Sequence, residues 1–98
     1  MELRVGKVVA AEKMPKTDKL LVMQVEIGKE KRTIVSGIAK YYTPEEMVGK
    51  SVVVVYNLAP HSFRGVESQG MLLCADDGKG GVVLVSPEKA VASGSEVR

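Results

Sequence analysis

Ser51-Val-Val-Val-Val-Tyr-Asn-Leu-Ala-Pro-His-Ser-Phe-Arg-Gly-Val-Glu-Ser-Gln-Gly-Met-Leu-Leu-Cys-Ala75 is the stretch on which the fold of this 98-residue chain turns. Its four consecutive valines read as a strand buried on both faces, because β-branched side chains pack well on a pleated surface and the run does not alternate with polar residues. Met71–Ala75 is a second apolar strand. The polar segment between them holds Asn57, His61, Ser62, Arg64, Glu67, Ser68 and Gln69. It is predicted to be a loop joining two core strands and displaying these groups at one end of a small barrel. Loops on a rigid scaffold are where binding residues tend to sit.

Working outward, Leu3, Val5, Val8 and Val9 mark a first strand, with Gly6 as a bend or bulge. Glu12–Lys19 is a charged loop containing Pro15. Leu20–Ile27 is a second strand: Leu21, Met23, Val25 and Ile27 alternate onto one face, and Gln24 and Glu26 onto a wetter one that also takes Leu20 and Val22, so the alternation is imperfect. Gly28–Lys31 is a turn and Arg32–Ser36 a third strand. Thr43-Pro-Glu-Glu-Met-Val-Gly49 then reads as barely more than one helical turn. Thr43 is the N-cap, Pro44 the first helical residue, Glu46 completes a capping box, Tyr42 and Met47 have staple spacing, and Gly49 ends the turn. Lys50–Asn57 and Gln69–Ala75 are the fourth and fifth strands. Asp76–Gly81 is a turn, Val82–Val85 a further strand and Ser86–Arg98 a tail.

Three strands, a short helix and two strands is the order of an all-β, five-stranded oligonucleotide-binding (OB) Greek-key barrel. Its ligand face is strands 2 and 3, framed by the loops joining strands 1–2 and 4–5. Here those loops are Lys13–Lys19 and Asn57–Ser68, so a basic cluster and the polar segment fall on the same side. The length predicts one domain over 1–98, burying roughly 60–65% of its unfolded surface. The barrel core covers about 1–76, and 77–98 form a C-terminal hairpin and tail.

Net charge is +2, unevenly spread: residues 1–42 hold nine Lys or Arg against five acids, residues 43–98 five against seven. Cys74 is the single cysteine, so no internal disulfide can form, and it reads as a small buried hydrophobe. One histidine rules out a His-based metal cluster, Asp76-Asp77 reads as turn chemistry, and Gly78-Lys-Gly-Gly81 lacks phosphate-loop spacing. Nothing here predicts an enzyme, a cofactor or a metal. With no signal-peptide core and no apolar run near the roughly 20 residues of a membrane span, a reducing cytoplasm is expected.

Several segments resemble, in order, a known family: Leu3-Arg-Val-Gly-Lys-Val, Asp18-Lys-Leu-Leu-Val, Thr33-Ile-Val-Ser-Gly-Ile-Ala-Lys-Tyr-Tyr-Thr-Pro-Glu-Glu, Val48-Gly-Lys, Asn57-Leu-Ala-Pro and Arg64-Gly-Val-Glu-Ser-Gln-Gly-Met71. They are similar to the tRNA-binding domain at the C-terminus of many methionyl-tRNA synthetases and in free-standing structure-specific tRNA-binding proteins. The resemblance covers nearly the whole chain. It implies an OB barrel, a homodimer, and a grip on folded tRNA by shape near the outside corner of the L. It also implies a non-catalytic module recruiting tRNA to methionyl-tRNA synthetase, fused or in trans. Many relatives carry extra Lys or Arg where this chain has Ala59, His61 and Ser62.

Lys and Arg gain affinity for closely spaced phosphates by releasing counterions, without sequence preference. Lys31, Arg32, Lys40 and Arg64 are the candidates, with Lys13, Lys16 and Lys19 in addition. Asn57 can donate and accept to a ribose or base edge, or bond its own loop backbone. Ser36 and Ser68 can bond phosphate or terminate strands. Met71 offers a soft apolar contact or a core side chain. Tyr41 and Phe63 can stack on an unpaired base, and Tyr56 reads as core. A second expectation, from another class, is a dimeric OB-barrel secretion chaperone holding unfolded polypeptide.

Overall fold

Alternation along the second strand sets the first layer. In the computed structural model, which describes residues 1–98, Leu21, Met23, Val25 and Ile27 are buried while Val22, Gln24 and Glu26 are partly exposed. In chain order the elements are β1 (Leu3–Lys13), β2 (Leu21–Ile27), β3 (Glu30–Ser36), α1 (Pro44–Met47), β4 (Ser51–Val55), β5 (His61–Phe63), β6 (Val66–Ser68), β7 (Met71–Leu72), β8 (Cys74–Asp76), β9 (Val82–Leu84) and β10 (Glu96–Val97). The main sheet runs β3-β2-β1-β4-β7 with every pairing antiparallel. This is the expected OB barrel with one short helix between its third and fourth strands. Val8, Leu21, Met23, Val25, Ile34, Met47, Val52, Val54 and Leu72 fill its interior. Gly6 lies in β1 because a Cβ there would sit 2.5 Å from Val25 Cγ1. The bulge itself falls two residues later, between Val8 and Ala10.

Curling the sheet into a barrel brings the free edge of β3 against the segment entering β7, and side chains close the gap. The Gln69 N–H donates to the Thr33 carbonyl at 2.8 Å. The Thr33 N–H donates to Gln69 Oε1 at 3.0 Å, and the Val35 N–H to Ser68 Oγ at 2.9 Å. The Ser68 hydroxyl in turn donates to the Gly70 carbonyl at 2.8 Å. Two side-chain oxygens thus stand where a neighbouring strand's carbonyls would stand, satisfying amides that burial would otherwise strand. Gly70 permits the approach, since a Cβ there would lie 3.1 Å from the Val55 carbonyl.

Two parts of the expected pattern differ. The segment 57–68 is not an open loop: β5 and β6 pair within it as a hairpin, Phe63 opposite Val66. Its two-residue turn is Arg64-Gly65, with φ of 50° and 86°, the left-handed pair that matches the twist of a tight hairpin. The fifth strand also breaks. Met71 and Leu72 pair with β4, while β8 leaves to pair with β9. Leu73 is the pivot, donating to the Val53 carbonyl at 3.0 Å and accepting from Val85 at 3.1 Å. The helix is as expected: Thr43 and Glu46 exchange both capping-box bonds, at 2.9 and 3.1 Å.

The tail folds back rather than trailing away. β10 pairs with the start of β1, Leu3 opposite Val97. Ser93 Oγ accepts from the Gly28 N–H and donates to the Glu26 carbonyl. Gly94 has φ 92°, and a Cβ on it would sit 2.9 Å from the Gly28 backbone. The tail therefore covers the outer face of β1 and β4. Val5 and Val53, both buried, share a recess of about 410 Å³ with Val85, Pro87, Val91 and Val97. That second layer is why the valine strand is buried on both sides.

Two substitutions test these joints. Ser68→Ala removes the acceptor of the buried Val35 amide and is expected to lower stability by about 1–3 kcal/mol, with accelerated hydrogen exchange at Val35. Gly94→Ala is expected to cost about 1–3 kcal/mol through its left-handed backbone and the clash with Gly28, measured by urea denaturation.

Candidate nucleic-acid interface

Strand pairing places the candidate residues in two groups, with Lys31 apart from both. The first gathers at one end of the barrel. Lys13 lies opposite Leu21 and Leu21 opposite Ser36, so the end of β1 and the end of β3 share one level. The Lys13–Lys19 loop is closed by the Met14 N–H donating to the Leu20 carbonyl at 3.0 Å, and Met14 is buried beneath it. Lys16 occupies the tip with φ 66°. The Ala39 N–H donates to the Lys19 carbonyl at 3.1 Å, which sets the exposed Lys40 beside that loop. Ser68 bonds Val35, one residue before Ser36, so the β5–β6 hairpin rises from the same level. Its turn carries Arg64, which is exposed and takes part in neither of the chain's two ion pairs. Lys13, Lys16, Lys19, Lys40 and Arg64 are thus brought to one end by three separate segments.

Lys31 belongs elsewhere. It sits on the outer wall near the start of β3, opposite Glu26, which in turn faces Lys7. From Ser36 it is about 17 Å along the strand at roughly 3.3 Å per residue. The outer face of β2 and β3 is otherwise neutral, with Gln24 and Thr33 bonded to each other at 3.0 Å.

The second group is occupied with the protein itself. Arg32 Nη1 donates to the Tyr56 carbonyl at 2.7 Å and to the Gln69 carbonyl at 3.1 Å. Its guanidinium lies 3.8 Å from the centre of the Tyr56 ring, with Nη2 3.4 Å from the Glu30 carboxylate. The Tyr56 hydroxyl donates to Glu30. That bond holds the Glu30 carboxyl below its ordinary range and, together with desolvation, raises the Tyr56 hydroxyl above its own. Asn57 Oδ1 accepts from the Glu2 N–H at 2.8 Å, extending by one rung the pairing of β1 with β4. Ser68, 2% exposed, is the seam residue described above, Ser36 is buried at the strand end, and Met71 is half-buried opposite Val55. Asn57 and Ser68 thus accept from the backbone of distant segments, Glu2 and Val35, rather than from the 57–68 loop.

The sequence reading placed Gln69 among the displayed polar groups and Tyr56 in the core, and missed their joint contact with Arg32. The visible signal was the i, i+2 spacing of Glu30 and Arg32, which puts opposite charges on one face of a strand. Tyr41 is half-exposed, its hydroxyl donating to the Gly80 carbonyl at 3.0 Å. His61 and Phe63 share a hairpin face, ring centres 6.0 Å apart. Cys74 is half-buried, and desolvation raises its thiol above the ordinary value, which disfavours a nucleophilic thiolate. Asp76 and Asp77 accept from the Gly78, Lys79 and Gly81 amides within their own turn.

Comparison with known proteins places this geometry. The tRNA binding domain family matches residues 3–96. The methionine–tRNA ligase of Pyrococcus horikoshii is 52% identical over 98 residues, all of this chain but 13% of that protein. The chain spans about 13–15% of the length of such relatives. Among solved structures, a MetRS-related protein from Pyrococcus horikoshii superposes with TM-score 0.93 at 45% identity, covering 99% of this chain and 89% of that one. The chaperone CsaA of Bacillus anthracis superposes with TM-score 0.89 at 28% identity, covering 99% and 90%. By sequence along nearly its whole length and by fold, the chain belongs to the tRNA binding domain family.

Proposed function

We propose that this chain is a non-catalytic module that binds folded tRNA by shape and charge and delivers it to methionyl-tRNA synthetase in the cytoplasm. The observation that carries this reading is the convergence of the Lys13–Lys19 loop, Lys40 and the Arg64-bearing hairpin at one barrel end, in a chain of this family. A cluster of exposed cations from three segments suits the bent backbone of tRNA, where phosphates from separate helices come close together. Lys31 stands apart on the outer wall, opposite Glu26. Recruitment raises the effective tRNA concentration at a synthetase, whether the module is fused or associated, without chemistry of its own. No helix of the chain is long and apolar enough to cross a membrane.

A titration of mixed tRNA at several salt concentrations, with unstructured RNA of equal length as control, tests the reading. Binding is expected to prefer folded tRNA and to weaken linearly on a log–log salt plot, each phosphate contact adding roughly 0.7–0.9 to the slope. Arg64→Gln is expected to lower that slope by one such increment. Equal binding to both RNAs, or none at low salt, would reject it.

The likeness to the CsaA chaperone supports a second reading, in which the barrel holds unfolded polypeptide. Apolar peptide binding would survive added salt, so the same titration with a denatured protein separates the two.

The proposal includes pairing of two copies through the tail. Val85 and Val91, 38% and 47% exposed, line the apolar recess over β1 and β4, and Val83 on β9 is a further exposed valine at 50%. Light scattering at micromolar concentration is expected to give the mass of two chains, and the mass of one would exclude pairing.

A further inference from the structure

Arg32 was expected to meet phosphate, but its surroundings describe a different task. The segment 57–68 leaves the barrel after Tyr56 and returns at Gln69. The carbonyls of those two residues, one at each end of the excursion, both accept from the same nitrogen, Nη1 of Arg32. The guanidinium plane is stacked on the Tyr56 ring, and Glu30 holds its other edge. Only about 20% of the side chain is exposed. Reaching a phosphate would mean breaking two charge-assisted bonds to backbone carbonyls and uncovering the Tyr56 ring. Arg64 stands free at the tip of the same excursion.

We infer that Arg32 is a positioning residue: it clamps the two ends of the β5–β6 hairpin so that Arg64 is held in place for nucleic acid, and does not itself contact the ligand. This rests on the tRNA reading of the hairpin. The clamp needs a planar fork that can bond two carbonyls while stacking on a ring. Arginine supplies this, and lysine, a point charge on a flexible stem, does not. Without the clamp the hairpin samples several placements, and binding must first select the competent one. Affinity then falls by the competent fraction, while the contacts in the bound state, and so the salt slope, stay the same.

The test compares the full chain with Arg32→Lys, Arg32→Gln, Tyr56→Leu and Arg64→Gln in tRNA titrations over a salt series. Amide hydrogen exchange is followed at Val66–Ser68 in the hairpin and at Met23–Val25 in the barrel. Both Arg32 variants and Tyr56→Leu are expected to lose about tenfold in affinity with an unchanged salt slope. Exchange should quicken in the hairpin and stay slow in the barrel, which separates a loosened clamp from a loosened fold. Tyr56→Leu alters no charge, so its loss cannot come from a missing phosphate contact. The inference is overturned if Arg32→Lys binds like the unaltered chain, if Arg32→Gln loses slope as Arg64→Gln does, or if hairpin exchange is unchanged. If the unaltered chain shows no preference for folded tRNA, the tRNA reading fails and this role fails with it. The exchange data then still report whether the clamp exists.

Discussion

The structure depends on how the open edge of β3 is sealed. A curled antiparallel sheet of five strands leaves the outer amides of its last strand without partners, and buried amides without partners are costly. No full strand is available to lie along β3, because the chain enters β7 for only two residues. Ser68 and Gln69 solve this with side-chain oxygens bonded to the Val35 and Thr33 amides. The closure fixes where the 57–68 segment re-enters the barrel, and therefore where the hairpin stands.

A second constraint comes from the opposite surface. The valines of β4 leave apolar side chains on both faces of one strand, which a single-layer barrel cannot cover. The tail supplies the missing layer, held by β10 on β1 and by the close backbone contact of Gly94 with Gly28. The C-terminal tail is therefore part of what buries the sheet. Val83, Val85 and Val91 remain exposed beyond it.

Placement of the polar residues follows from these two joints. Groups that can act as backbone surrogates, Asn57, Ser68 and Gln69, are consumed near the roots of the hairpin. Cations that need only solvent, Lys16, Lys19, Lys40 and Arg64, are left on the rim. Arg32 lies between these classes: charged like the second, but employed like the first. A braced root beneath exposed cations suits recognition of a folded polyanion, since less freedom is lost when the charges are placed before binding.

Local chemistry made much of this legible. The period-2 pattern of Leu21–Ile27, the valine run and the Thr43–Glu46 capping box depend on neighbours a few residues away, and each appears where the residues indicate. The same locality explains the misreadings. An Arg-Gly turn is a weaker hairpin signal than Asn-Gly, so β5 and β6 were hidden in a polar segment. The break at Leu73 depends on β9 arriving from later in the chain. By itself the sequence determined the strand order, the short helix and the family, because these are carried by spacing and by motifs along one dimension. Only the tertiary structure decided which polar groups remain free. Whether Arg32, Asn57 or Ser68 meets a ligand or the backbone depends on which carbonyl or amide from tens of residues away lies within 3 Å of it, and spacing along the chain holds no record of that distance.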